Sequence, residues 1–273
     1  MTVTSLIDNV STTDGIAAEH GLSLHIRLDD GRCILFDMGQ GILFADNASR
    51  LGCAINEVGM AVISHGHYDH GGGLGTFLEL NTDAPVFVQR DAFQPHYSMH
   101  DDGLHFIGLD PQLQTEGRLV MCDGITRMAD GVTLFSDVRG TCCYPTGNGR
   151  LHGPGRTTPD TFGHEQNLII EEGGKTVLFA GCAHRGIVNI IRKSTDIMRH
   201  APTHVFAGMH LMKSGLGKDD EEAFIRSLAS QLMSNPHCRY YTMHCTGTEA
   251  YSRLRDLMGD NIRYVACGDR VEL

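Results

Sequence analysis

The chain has 273 residues, 41% of them hydrophobic and 20% charged, with 33 Gly and 8 Pro, which excludes a disordered or collagen-like polymer and lets a core form without disulfide staples. A formal net charge of −11 with only 22 Lys and Arg argues against a nucleic-acid surface, because neutralising phosphates takes clustered cations. A small phosphorylated substrate stays open, since two or three cations or a helix N-terminus suffice for it.

No stretch approaches 18 consecutive apolar residues, and the first 15 residues lack a basic segment followed by an apolar one. The expectation is a protein that neither spans a membrane nor is secreted. Nine scattered cysteines without a C-x-x-C pair suit reduced thiols in a cytoplasm.

Apolar runs bounded by turn residues predict strands at 24–28, 33–36, 60–64, 86–89, 132–138, 168–172, 176–180, 204–207, 239–243 and 262–267. Helical spacing predicts helices at 42–51, ending at Gly52, at 187–200, with Ile187, Ile191 and Met198 on one stripe, and at 249–258, ending at Gly259. The longest, 219–234, opens on Asp219, Asp220, Glu221 and Glu222, where the helix dipole favours acids, and spaces Phe224, Leu228 and Leu232 four apart. Strands and helices thus alternate in two comparable halves, about 1–130 and 131–273. With no Pro- or Ser-rich linker, they read as one α/β domain over 1–273. The tract 139–166, rich in Gly, Thr and Pro, is the least regular and is expected to supply part of a substrate site.

Histidine is over-represented, with 16 residues, and it is the commonest metal ligand. The sharpest pattern is Ser64-His65-Gly66-His67-Tyr68-Asp69-His70-Gly71-Gly72-Gly73, directly after the strand at 60–64. A strand running into a Gly-flanked loop can turn four such side chains inward, giving one metal His65 and His67 and a second Asp69 and His70. Further ligands are expected at other strand ends. His184 and His244 are the first choices and Cys182 the third. His210, after the strand at 204–207, reads as an acid/base or substrate-facing group, Arg185 as a phosphate contact, and Asp37 as a partner that orients a ligand histidine.

At these residues the chain resembles the metallo-β-lactamase fold superfamily, whose hallmark is the His-x-His-x-Asp-His loop. Segments 6–9, 19–23, 34–40, 47–52, 63–72, 181–190 and 208–211 resemble the branch that contains dihydropterin–ribofuranosylaminobenzene phosphate synthase-like proteins. The resemblance implies a four-layer αββα sandwich of the α/β (α+β) class with a dinuclear site. It nominates Glu19, beside Asp37, as a residue that supports the ligands. His67 stands where flavodiiron-type members carry Glu, which disfavours oxygen reduction. Cys182 stands where many hydrolases place a bridging Asp. His96 replaces the Arg of a Pro-Arg-Tyr-Ser-type element, so it is a substrate-binding candidate with weaker anion affinity.

The expected cofactor is two divalent ions per chain, Zn first, with Mn or Fe as alternatives. The expected activity is hydrolysis of an ester, thioester or phosphoester by metal-bound hydroxide, with Asp69 orienting the water and His210 serving as proton donor or oxyanion partner. Dihydropterin transfer with pyrophosphate displacement would use the same residues. A non-enzymatic metal or redox sensor built on Cys182, Cys245 and the Cys142-Cys143 pair is the third reading. The expected partner is a small molecule, with no nucleic acid or membrane; the oligomeric state is left open.

Overall fold

The structure, a computed structural model, describes residues 1–212 and 214–273. The chain divides into two compact units. The first comprises Met1–Asp123, Leu151–Gln166 and Val265–Leu273, and the second Gly124–Arg150 and Asn167–Tyr264. Strands and helices are numbered along the whole chain.

The first unit is built on a seven-stranded sheet of β1 (Thr2–Ile7), β2 (Ser23–Arg27), β3 (Cys33–Phe36), β4 (Met60–Ile63), β5 (Val86–Gln89), β8 (Leu119–Cys122) and β17 (Arg270–Glu272), in the order β17-β1-β2-β3-β4-β5-β8. The pairs from β17 to β3 are antiparallel and those from β3 to β8 parallel. Burial follows from this arrangement, since every residue of β3, β4 and β5 is buried, as parallel strands require. Helices α1 (Leu43–Leu51), α2 (Tyr68–Gly71) and α3 (Leu74–Leu80) belong to the same unit. Phe44 and Ala48 of α1 and Leu74 and Phe77 of α3 join Leu35, Ile63 and Val86 of the sheet in one apolar cluster. The N–H of Gly52, at φ 69°, closes α1 on the carbonyls of Ala48 and Ser49. A small sheet of β6 (Tyr97–His100), β7 (Gly103–Phe106) and β11 (Leu151–His152) completes this unit.

The second unit repeats the pattern. Its sheet contains β9 (Ile125–Ala129), β10 (Val132–Phe135), β12 (Asn167–Glu172), β13 (Lys175–Ala180), β14 (His204–Ala207), β15 (Arg239–Thr242) and β16 (Ile262–Tyr264), ordered β16-β15-β14-β13-β12-β10-β9. Here too one half is antiparallel and the other, β13 to β16, parallel. Gly173 and Gly174, both at positive φ, make the tight β12–β13 hairpin that their lack of a Cβ permits. Helices α4 (Ile187–Met198), α5 (Lys218–Leu232) and α6 (Thr248–Met258) pack on this sheet.

Both expected helix stripes face the core, but the buried faces extend beyond them. In α4 the buried apolar residues are Ile187, Val188 and Ile190, with Ile191 and Met198 only partly buried against the core. In α5 they are Ile225, Leu228, Ala229 and Leu232, because a side chain covers the turn N-terminal to its own Cα and the stripe drifts with the 3.6 period. Helix α4 stops at Met198 because Arg199 turns left-handed, at φ 66°. The strand expected at 262–267 ends at Tyr264, after which the chain passes into the first unit. The sequence pattern omitted β1, β6–β9, β11, β17, α2 and α3, which are short or lack a clean apolar alternation. No helix is long and apolar enough to cross a membrane among the described residues.

Candidate metal centre

Within the first unit the polar residues gather at the C-terminal ends of parallel strands β3 and β4, the usual ligand position in open α/β sheets. Asp37 follows β3, is fully buried and sits in left-handed backbone at φ 61°. Its Oδ1 accepts the Ser64 N–H at 2.7 Å, and its Oδ2 accepts the Ser64 hydroxyl and His70 Nδ1–H, each at 2.7 Å. The Ser64 oxygen, having given its proton to Asp37, accepts from His65 Nδ1 at 2.9 Å. One carboxylate therefore fixes the tautomer of two imidazoles and leaves Nε2 as the lone-pair nitrogen of each. The ring centres of His65 and His70 stand 4.1 Å apart, and those of His65 and His67 4.6 Å apart.

Glycine makes this loop possible through space rather than torsion. A Cβ on Gly66 would lie 2.2 Å from the Ala92 carbonyl oxygen and 2.8 Å from His96 Nε2. On Gly72 or Gly73 it would lie 2.4 Å from the Gln40 oxygen or 2.3 Å from the Met38 oxygen. Asp69 faces His20, whose Nε2 is 3.2 Å from its carboxylate. Glu19 accepts the Gln40 N–H at 2.9 Å, so its contact is with the loop after β3.

Two residues of this unit escaped the sequence reading. Asp160 and His164 lie in the segment that follows β11. Gln166 docks that segment: its side chain donates to the carbonyls of Ile63 and Phe87, and its N–H donates to the Ser64 carbonyl. His164 Nδ1 accepts the Gly66 N–H at 2.9 Å, and Asp160 accepts from both His164 and His96. His67, His96, Asp160 and His164 present potential donor atoms within 4.8 Å of one another, all on buried residues.

Burial by itself would raise the Asp160 pKa, but the hydrogen bonds from His164 and His96 and the Phe162 N–H outweigh it and hold the carboxyl far below the ordinary carboxylate range. His67 and His164 are pushed the other way, below the ordinary imidazole value of 6.5, first by burial and then by neighbouring imidazoles. An imidazole with a depressed native pKa takes up protons in the unfolded chain before it does so in the folded one, so stability falls as pH drops below 6.5. Asp160 adds nothing to that slope until the much lower pH at which unfolded carboxylates protonate. Urea unfolding of the metal-free chain is expected to show a lower midpoint at pH 5.5 than at pH 7.5; equal midpoints would contradict the neutral, buried state of these rings.

The second unit brings together its own set, again at the C-terminal ends of parallel strands. Cys182 and His184 follow β13, His210 follows β14, and His244 and Cys245 follow β15. Ala183, His210 and His244 all have positive φ, at 52°, 47° and 48°, backbone strain of the kind that concentrates at functional sites. Asn148, also missed, accepts from His184 Nδ1 at 2.9 Å and donates to the His184 carbonyl at 2.8 Å, again leaving Nε2 as the lone-pair nitrogen. The His184 and His210 rings are 4.3 Å apart.

Cys245, absent from the expected ligand list, accepts the His210 backbone N–H at 3.2 Å and groups with Cys182 and His210 as potential donors. Burial would raise its thiol pKa, yet hydrogen bonds from Cys182 and His210 and the adjacent imidazoles bring it well below the ordinary value. The Arg185 Nε donates to the Val138 carbonyl at 2.8 Å, and its guanidinium lies 6.0 Å from the Tyr144 ring centre. A cavity of about 250 Å³ in this unit is lined by Leu211, Met212, Thr246, Thr248 and Arg253, among others. Arg253 there is paired with Glu221 and Glu249.

Imidazole, carboxylate and thiol donors, several with a fixed tautomer, fit a bound divalent cation better than they fit a solvent-filled cleft. The profile of the metallo-beta-lactamase superfamily matches residues 18–194, more than half of the chain. The chain belongs to this superfamily. Its two mixed sheets with flanking helices are that α/β fold. The chain is 28% identical to Tm1679, a metal-dependent hydrolase of the beta-lactamase superfamily, with a TM-score of 0.79 over 100% of this chain and 99% of that one. It is 27% identical to 7,8-dihydropterin-6-methyl-4-(beta-D-ribofuranosyl)-aminobenzene-5'-phosphate synthase of Methanocaldococcus jannaschii, over 85% of this chain and 83% of the synthase. Zn(2+)-bound PqqB from Methylobacterium extorquens shares the fold at 11% identity and a TM-score of 0.52, with both chains fully covered.

Proposed function

We propose that this metallo-beta-lactamase superfamily protein is a metal-dependent hydrolase acting on an ester, thioester or phosphoester. The observation that carries the reading is the buried Asp37 carboxylate, which orients His70 directly and His65 through Ser64. Nothing in a purely structural loop calls for two imidazoles held in the same tautomer with Nε2 as the lone-pair nitrogen. The proposed ligands are His65, His67, Asp69 and His70, with Cys182, His184 and His244 as the further ones, and the proposed occupancy is two ions with zinc preferred. Thiol donors favour Zn or Fe over Mn or Mg.

A divalent cation held by such residues supplies a hydroxide nucleophile at neutral pH and polarises a carbonyl or phosphoryl oxygen. The chain's own residues do the rest. Asp69 is the carboxylate that orients water. His210 is the proposed proton donor to the leaving group. Asp37 and Asn148 hold their imidazoles against rotation. The loop glycines let backbone approach where a Cβ would block it.

Similarity to the M. jannaschii synthase over four-fifths of both chains favours one second reading, transfer to an aromatic amine with departure of pyrophosphate. The first test is metal content per chain by plasma mass spectrometry, followed by turnover of nitrophenyl esters, acyl thioesters and phosphodiesters. The expected result is about two equivalents of metal, chelator-sensitive hydrolysis, and loss of metal and turnover in His70→Ala. A folded wild-type chain that cannot be loaded with metal would refute both readings. Metal loading without any hydrolysis would move transfer to first place.

A further inference from the structure

We propose that His96 is a metal ligand, binding through Nε2 the same late first-row divalent cation that His67 holds in the first unit. Asp160 accepts from His96 Nδ1 at 3.0 Å, so the lone pair of that ring lies on Nε2, the same pattern by which Asp37 prepares His70. His96 is 2% exposed, and its Nε2 is buried with no hydrogen-bond partner. An acceptor nitrogen left without a donor in the interior is costly, and a cation is an occupant that satisfies it.

The geometry points to His67 as the other ligand. The ring centres of His96 and His67 are 5.7 Å apart, with their planes at 76°. Two imidazoles on one tetrahedral ion, with bonds of about 2.1 Å, place their ring centres roughly 5–6 Å apart. His96 Nε2 also lies against Gly66, the residue next to His67, where a Cβ would be only 2.8 Å away.

The remaining members of the cluster hold this nitrogen in place. Asp160 is fixed by the Phe162 N–H at 2.7 Å and by His164 Nε2 at 3.2 Å. His164 is fixed in turn by the Gly66 N–H. Because Nδ1 of His164 accepts that proton, its Nε2 carries the hydrogen that Asp160 receives, which makes His164 a positioning residue. Imidazole donors select Zn2+, Co2+, Ni2+ or Cu2+ over Mg2+ and Ca2+. The inference rests on the proposed hydrolytic reading, which assigns this cation to His67, and adds His96 to its ligands.

The test is Co2+ binding by the full chain, measured as equivalents retained and by visible absorption, for wild type, His96→Gln, Asp160→Asn and His70→Ala. The proposal expects His96→Gln to bind one equivalent fewer than wild type or to bind it at least tenfold more weakly. It expects Asp160→Asn to weaken the same equivalent by about 10–100-fold. His70→Ala is expected to retain that equivalent. If His96→Gln matches wild type in number and affinity while His70→Ala loses metal, the hydrolytic reading stands and this one is overturned. If His96→Gln loses metal and His70→Ala loses none, this inference holds and the second ion, assigned to Asp69 and His70, fails. Should the His96 variant not fold, the wild type decides: the His96 Nε2 nitrogen resonance must move on addition of Zn2+, and an unmoved resonance overturns the assignment.

Discussion

Replacing Asp37 with Ala is expected to destabilise the chain by about 3–5 kcal/mol, because it strands the Ser64 N–H, the Ser64 hydroxyl and His70 Nδ1–H in a fully buried place. The left-handed backbone at this residue adds to the cost, since Asp tolerates that conformation better than Ala. Asp37→Asn separates the structural and metal roles. Its amide oxygen can still accept from Ser64, but its NH2 opposes His70 Nδ1–H and pushes that ring toward the other tautomer. The expected result is a smaller loss of stability with a 10–100-fold loss of metal affinity, measured by urea unfolding of the metal-free chain and by competition with a chromophoric chelator. Unchanged metal affinity in a folded Asp37→Asn would show that the carboxylate serves the loop alone.

Gly66→Ala is expected to cost about 3 kcal/mol. The added methyl meets the Ala92 carbonyl group, with its oxygen at 2.2 Å and its carbon at 2.9 Å, and backbone cannot rotate away as a side chain can. Relief requires the 65–67 segment to move off Ala92 and His96, which also strips the Gly66 N–H from His164. Thermal unfolding of the metal-free variant measures the first effect. A variant as stable as wild type would mean that the loop relaxes without cost and that its glycine is dispensable.

The His-x-His-x-Asp-His loop was legible because its four candidate donors fall within six residues directly after an apolar strand, where periodicity and spacing carry information. His184, His210 and His244 were legible for the same reason, each closing a short β-branched or aromatic run. Asp37 could be read as a ligand's partner from its place at the end of β3. Asp160, His164 and Asn148 could not. They lie in a tract without periodicity, and the residues they hold are far away in the sequence: Asn148 reaches His184, Asp160 reaches His96, and His164 reaches Gly66. The irregularity of the tract 139–166 pointed to a site there but not to these residues. Strands β6 and β7 were hidden because their His, Met and Ser residues are at most half-buried, so no apolar alternation marks them.

The pairing of β17 with β1, with Glu272 opposite Thr2 and Val271 opposite Val3, bears on how the protein is made. In sequence order β17 follows every strand and helix of the second unit. A nascent chain on the ribosome therefore exposes the whole second unit while the N-terminal sheet still has β1 as an open edge. Such an edge offers unpaired N–H and C=O groups to any extended segment nearby. Vectorial folding, first unit first, can therefore assemble this sheet only without its edge strand β17. The earlier sheet stays one strand short until residues 270–272 are made, and its β1 edge is the surface that most needs shielding meanwhile.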